Sequence, residues 1–197
     1  MSDHIHTLVF ATNNAHKAKE VSLILGNAYE IRTLKEVGIN IDIPEPHDTL
    51  EANAREKSMT IYSLKGLDCF SEDTGLEVEA LRGEPGVRSA RYAGEPSDDK
   101  KNIKKLLDAM EATQHRKARF RTVISLVEAG QEKQFEGVCT GYIARAAKGD
   151  NGFGYDPVFI PDGSERTFAE MNAMEKKEFS HRRKAVDLLV AYLKQKK

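Results

Sequence analysis

Leu8-Val9-Phe10-Ala11-Thr12-Asn13-Asn14-Ala15-His16-Lys17 is the stretch that decides the fold. Its first four residues are an apolar run that reads as a β-strand. From His16 to Leu25, Ala18, Val21, Ile24 and Leu25 fall at helical spacing. A strand, a tight polar turn and a helix N-terminus leave backbone N–H groups pointing outward unpaired, which favours a bound anion. Asn13 or Asn14 is placed to cap the helix, and Lys17, one turn in, can reach back toward a phosphate. The turn lacks the glycines of a Walker or Rossmann loop, so an ordinary β–turn–α junction with a solvated lysine is the plain alternative.

Working outward, Tyr29–Thr33 reads as a second strand. Pro44-Glu45-Pro46-His47-Asp48 forms a stiff polar loop, because both prolines fix φ. A helix follows over residues 49–64 with Leu50, Ala54, Ile61 and Leu64 inward, and Asp48 with Glu51 resembles a capping box. Residues 67–71 make a short strand ending in Glu72-Asp73, and residues 76–80 extend the sheet. Gly83-Glu84-Pro85-Gly86 marks a turn. Ile103, Leu106, Leu107 and Met110 keep a helical stripe over residues 99–110. Residues 120–127 and 133–144 form an antiparallel hairpin with Gly130 at its turn. A glycine-rich loop, 149–154, precedes a last helix over 181–194 that buries Ala185, Leu188, Leu189 and Tyr192. The order β-α-β-α-β-(β)-α-β-β-α, without repeat or linker, implies one α/β domain over residues 1–197 with a mixed sheet.

The 197 residues are enough for a sizeable core. A formal net charge of −1 gives no global attraction to nucleic acid or a membrane surface, so any basic site must be local. Cys69 and Cys139 have no metal-type spacing and read as buried thiols of a reducing compartment. No stretch approaches the roughly 20 apolar residues of a membrane span. Met1-Ser2-Asp3-His4 opens no signal peptide, and a cytoplasmic protein is expected.

Glu72 and Asp73 stand at an apparent strand end before Thr74-Gly75, where ligand clefts open in α/β sheets. Alternation turns one carboxylate to the cleft and leaves the other in support. One or two carboxylates with waters suit Mg²⁺ bound to phosphates, and Glu45 on its stiff loop can add a ligand. A solvated turn is the plainer reading of the pair. Gly152-Phe153-Gly154-Tyr155-Asp156-Pro157 offers close backbone approach and two aromatic faces, as a planar base needs; the alternative is a hairpin whose aromatics join the core. Ser180-His181-Arg182, with Lys176 before it, supplies donors for base carbonyls or phosphate. With Lys177, Arg183 and Lys184 these cations could equally form a solvated helix face. Arg91 receives no role.

In order, these strings resemble the inosine triphosphate pyrophosphatase family, the XTP/dITP diphosphatases that clear deaminated purines from the nucleotide pool. The resemblance rests on Thr12-Asn13-Asn14-Ala15-His16-Lys17, Glu72-Asp73-Thr74-Gly75-Leu76, Phe153-Gly154-Tyr155-Asp156-Pro157 and Ser180-His181-Arg182, with Pro85-Gly86, the 89–94 segment and Glu175-Lys176 between them. It implies an elongated mixed β-sheet flanked by helices, two lobes with a cleft between them, and a homodimer. It also implies Mg²⁺-dependent hydrolysis of a purine nucleoside triphosphate to monophosphate and pyrophosphate. On the matching positions Thr12, Asn13, Asn14, Ala15, His16 and Lys17 would hold the triphosphate. Asp73 would accept the proton and, with Glu45, bind the metal; Glu72 would support them. Thr74, Phe153, Gly154, Tyr155, Asp156, Lys176, His181 and Arg182 would hold the nucleotide and base. Two positions depart from the family pattern: Asn13 stands where glycine is common, and Glu72-Asp73-Thr74 where Asp-Asp-Ser is frequent.

Base-edge chemistry gives the expected selectivity. A 6-keto purine presents an acceptor where adenine presents an amino donor, so a donor-lined pocket accepts the first and rejects the second. Backbone N–H groups near Phe153, or His181 and Arg182, are the candidate donors. The rivals are a Maf-type nucleotide pyrophosphatase of other base preference and a catalytically silent nucleotide-binding regulator.

Overall fold

The computed structural model describes residues 6–26 and 29–195. The N-terminal residues read above for a targeting signal lie outside them. Strand β1 (His6–Phe10) runs parallel to β2 (Tyr29–Thr33) and to β3 (Cys69–Val78). The connections are α1 (Ala15–Leu25) and, after the proline loop, α2 (Leu50–Lys65). Between β3 and β5 (Lys117–Glu128) come the short β4 (Pro85–Gly86), antiparallel to β3, and α3 (Asp99–Ala109). β6 (Gln131–Ile143) follows β5, and β7 (Phe159–Pro161) pairs antiparallel with β6. Two helices, α4 (Ala173–Phe179) and α5 (His181–Gln195), complete the chain. The result is a mixed seven-stranded sheet in the order β2-β1-β3-β5-β6-β7, with β4 beside β3.

Local chemistry explains most boundaries. Asn14 caps α1 by accepting from the Lys17 N–H, and Gly66 ends α2 in the left-handed conformation. The cap of α2 is Thr49, whose hydroxyl accepts from Ala52 N, one residue after the expected Asp48. The β5–β6 turn uses Ala129 and Gly130, both at positive φ, the backbone that a two-residue hairpin needs to match strand twist. Two inward assignments fail: Leu64, in the last turn of α2, and Leu188, beside the buried face of α5, are exposed. Helix α4, opened by an Asn172/Glu175 capping box, adds a helix before α5 that is absent from the element order expected from the sequence.

The larger correction concerns β3. The sequence suggests two short strands broken at Glu72-Asp73-Thr74-Gly75, whereas one ten-residue strand runs through them. Glu72 and Asp73 are buried mid-strand, because cations from distant segments meet them there.

The chain forms two compact units. The first comprises Met1–Asp73, Thr122–Gly137 and Arg182–Lys197; the second comprises Thr74–Arg121 and Val138–His181. Each has its own apolar core. In the first, Phe10 stacks on Phe70 at 4.5 Å among Val21, Ile124, Leu126 and Leu189. The second packs Leu106, Met110, Phe120, Phe159 and Phe168.

Gly141 of β6 faces β7 at close range. A Cβ there would overlap the Ile160 carbonyl oxygen and lie 2.9 Å from Pro161 Cα. Gly141→Ala is therefore expected to destabilise by about 1–3 kcal/mol, seen as a lower urea midpoint at unchanged slope. A midpoint equal to wild type would show that this strand pair has room to spread.

Candidate active site

In the first unit the turn after β1 is braced by its own polar side chains. Thr12 Oγ1 accepts from Asn14 N at 3.1 Å, and Asn13 Nδ2 donates to the Ile41 carbonyl at 2.9 Å. Asn14, Ala15 and His16 are exposed at the start of α1. Asn13 and Asn14 thus shape the loop, and the helix N-terminus faces solvent as an anion site requires. Lys17 reaches Glu72 Oε1 at 3.3 Å.

Glu72 is held from a second direction. Arg182 Nε lies 2.8 Å from Glu72 Oε2 and its Nη2 2.9 Å from Oε1, while Nη1 pairs with Glu20. The Arg182 side chain is 1% exposed. Burial opposes the charge on Glu72, yet Arg182 and Lys17 outweigh it and hold the carboxyl far below the ordinary carboxylate range. Arg182 was expected to donate to a base or phosphate; in the structure its guanidinium is buried against two glutamates, and it orients Glu72.

Asp73 faces a different partner. Lys57 Nζ sits 3.2 Å from Asp73 Oδ1 and 2.5 Å from Glu45 Oε1, bringing the two expected metal ligands together. Burial pushes the Asp73 carboxyl above its ordinary value against the pull of Lys57 and Lys17, and Glu45 adds to the rise. Burial works against the Lys57 charge, but Asp73 and Glu45 prevail and raise its pKa, so the ammonium persists. Asp73 Oδ2 is buried with no hydrogen-bond partner among the described residues. A carboxylate oxygen in that state favours a water or a hard cation. Lys57 pairs with Glu45 and Asp73, while Lys17 and Arg182 both pair with Glu72 and Arg182 also with Glu20. Among the described residues no three acidic, histidine or cysteine side chains converge on one metal position. Two protein ligands, with the remainder from water and phosphate, is the coordination Mg²⁺ commonly takes.

Lys57 and Asn53 join the site without belonging to any of the sequence motifs. Asn53 accepts from His47 N at 2.9 Å and donates to His47 O at 3.0 Å, pinning the loop that carries Glu45. Both lie on the buried stripe of α2 with Leu50, Ala54 and Ile61. A lysine and an asparagine at core positions of a helix were the available signal.

The second unit gathers the remaining candidates. Lys176 Nζ is 2.7 Å from Asp156 Oδ2 and lies over the Phe153 ring at 5.1 Å and the Phe168 ring at 5.4 Å. Asp156 also accepts from Phe153 N at 2.9 Å, and Gly154 N donates to Asp99 Oδ2 at 2.7 Å. Of the backbone N–H groups near Phe153 that are candidates to read a keto group, those of Phe153 and Gly154 are engaged by carboxylates. Tyr155 is buried, and its hydroxyl donates to the Ser89 carbonyl, so this ring belongs to the core. His181 stacks on Phe120 at 4.7 Å, and Thr74 follows Asp73 on β3. Lys176 and His181 are buried, while Lys184 is exposed as a solvated helix face would have it.

The Ham1 family model matches residues 8–192. The chain belongs to the Ham1 family. Among its relatives, the dITP/XTP pyrophosphatase of Porphyromonas gingivalis is 51% identical over 187 residues, covering 94% of this chain and 96% of that protein. The dITP/XTP pyrophosphatase of Bacillus licheniformis is 41% identical over 95% of this chain and 98% of its own length. The solved Ham1 protein of Staphylococcus aureus superposes with a TM-score of 0.88 at 39% identity, covering 97% of this chain and all of that one.

The Glu72–Arg182 pair yields a stability prediction. Glu72→Gln removes the charge that faces a buried guanidinium and should cost about 3 kcal/mol at pH 7, by urea unfolding. Because the folded-state pKa lies below the ordinary 4.5, this contribution is complete above that value and declines as pH falls below it. The gap between wild type and variant should narrow correspondingly in acid; a gap independent of pH would remove the ionic origin.

Proposed function

We propose that this chain hydrolyses dITP, XTP and ITP to the nucleoside monophosphate and pyrophosphate. The observation that carries the reading is Asp73: a buried carboxylate beside Glu45, one oxygen on Lys57 and the other without a hydrogen-bond partner among the described residues. It occurs in a chain about half identical, end to end, to a dITP/XTP pyrophosphatase. A silent nucleotide binder would have no use for such a costly arrangement of buried charge.

Cleavage between the α and β phosphates requires water to attack the α-phosphorus and pyrophosphate to leave. Lys17 and the backbone N–H groups after Thr12 neutralise the leaving phosphates. Glu72, fixed by Arg182, sets where the Lys17 ammonium stands. Asp73 Oδ2 holds the attacking water and accepts its proton. Lys57 holds Asp73 and Glu45 at fixed separation. Mg²⁺ held by Glu45 and Asp73 would supply charge neutralisation and a more acidic water. In the second unit the Phe153 ring offers a stacking face, and Lys176 offers a cation for the 6-keto oxygen that adenine lacks. The enzyme works in the cytoplasm as a homodimer, with no nucleic acid or membrane partner. Among the described residues no helix is long and apolar enough to cross a membrane.

The reaction is tested with Mg²⁺ and dITP, XTP, ITP, dATP and dGTP supplied separately. Pyrophosphate release from the first three, at rates well above the last two, is expected. Orthophosphate release, or equal rates on dATP and dITP, would defeat the reading. For Asp73→Asn, kcat should fall at least about 100-fold while dITP binding, followed by calorimetry, changes by less than about threefold.

A further inference from the structure

We propose that Asp99 is a positioning residue for the nucleotide-base loop 152–156, and this rests on the substrate class proposed above. The loop turns twice with positive φ, at Gly152 (79°) and Gly154 (60°). This geometry sends successive N–H groups in different directions. The Phe153 N–H is satisfied inside the loop by Asp156. Gly152 is required there, because a Cβ at that position would overlap the Asp156 carboxylate. The Gly154 N–H instead leaves the loop and meets Asp99 Oδ2 at 2.7 Å, from a residue 55 positions earlier.

Asp99 is well suited to hold it. It is the first residue of α3, where the helix dipole favours a carboxylate. The capping duty falls to its neighbour, Asp98, which accepts from Lys101 N at 3.1 Å. Asp99 is therefore not needed to start the helix, and its charge-assisted bond serves the loop. The rest of α3 is tied to the same region of the second unit. Asn102 accepts from Ala93 N at 2.7 Å and donates to the Ala90 carbonyl, and Lys105 donates to the Tyr92 carbonyl. The Tyr155 hydroxyl reaches Ser89 of that same turn. One end of the loop is thus anchored through Asp156 and Lys176, its middle through Asp99, and its far side through Ser89. Loss of the middle anchor frees the peptide that orients the Phe153 ring.

Three full-length variants test this: Asp99→Ala, Asp99→Asn, which keeps an acceptor oxygen, and Asp98→Ala, which removes only the helix cap. In Asp99→Ala, amide exchange at Gly154 should rise about tenfold, as should the KM for dITP, with kcat within about twofold of wild type. Asp99→Asn should recover most of both effects. Asp98→Ala should lower the melting temperature yet leave KM and Gly154 exchange unchanged. The proposal is overturned if Asp99→Ala leaves Gly154 exchange at the wild-type rate, or if Asp98→Ala reproduces the KM rise. Should wild type fail to hydrolyse dITP, the substrate reading fails by itself, and Gly154 exchange still decides the role of Asp99.

Discussion

A guanidinium on α5 and a carboxylate in the middle of β3, 110 positions apart in the chain, meet where water scarcely reaches either. The remainder of the first unit's chemistry depends on that pair. Without Arg182, a central strand could not carry Glu72 through its buried stretch, because an unpaired interior carboxylate costs several kcal/mol or loses its charge. With it, the strand continues and delivers Asp73 at the next position. Glu72 is also the anchor that stations Lys17 beside the exposed start of α1.

Two clamps in the molecule share one design. Lys57 grips Asp73 and Glu45 in the first unit, and Lys176 grips Asp156 in the second. In each, an ammonium is buried against carboxylate on loops or strands that would otherwise repel or wander. Flexible acidic side chains become fixed ones, and a fixed charge needs no reorganisation when a ligand's charge develops nearby. The arrangement costs desolvation energy, which fits a site kept for chemistry better than one kept for stability.

The apolar framework was largely legible along the chain. Tyr29–Thr33, the first β–α unit, the β5–β6 hairpin and the long helices follow from periodicity, caps and turn residues, all interactions within a few positions. The candidate residues were legible as types: acids, an asparagine-rich turn, a glycine-aromatic loop, late cations. What those residues do to one another was not. Glu72-Asp73 reads locally as a strand end because polar residues ordinarily mark a turn, and nothing nearby announces Arg182, Lys17 or Lys57. Arg182 reads as a ligand donor for the same reason, since its glutamate partners are invisible from its neighbours. Tyr155 offers a stacking face in sequence, while in the fold its ring completes a core and its hydroxyl finds Ser89.

Sequence by itself determined the alternating α/β order, the loop that opens α1 and the set of groups available for phosphate and base. Tertiary structure alone decided the pairings: which cation meets which acid, and which backbone donors are already engaged. The division has a physical cause. Backbone propensity and apolar periodicity act over a few residues and leave their mark there. Buried charge is tolerated only through partners that the fold brings from far away.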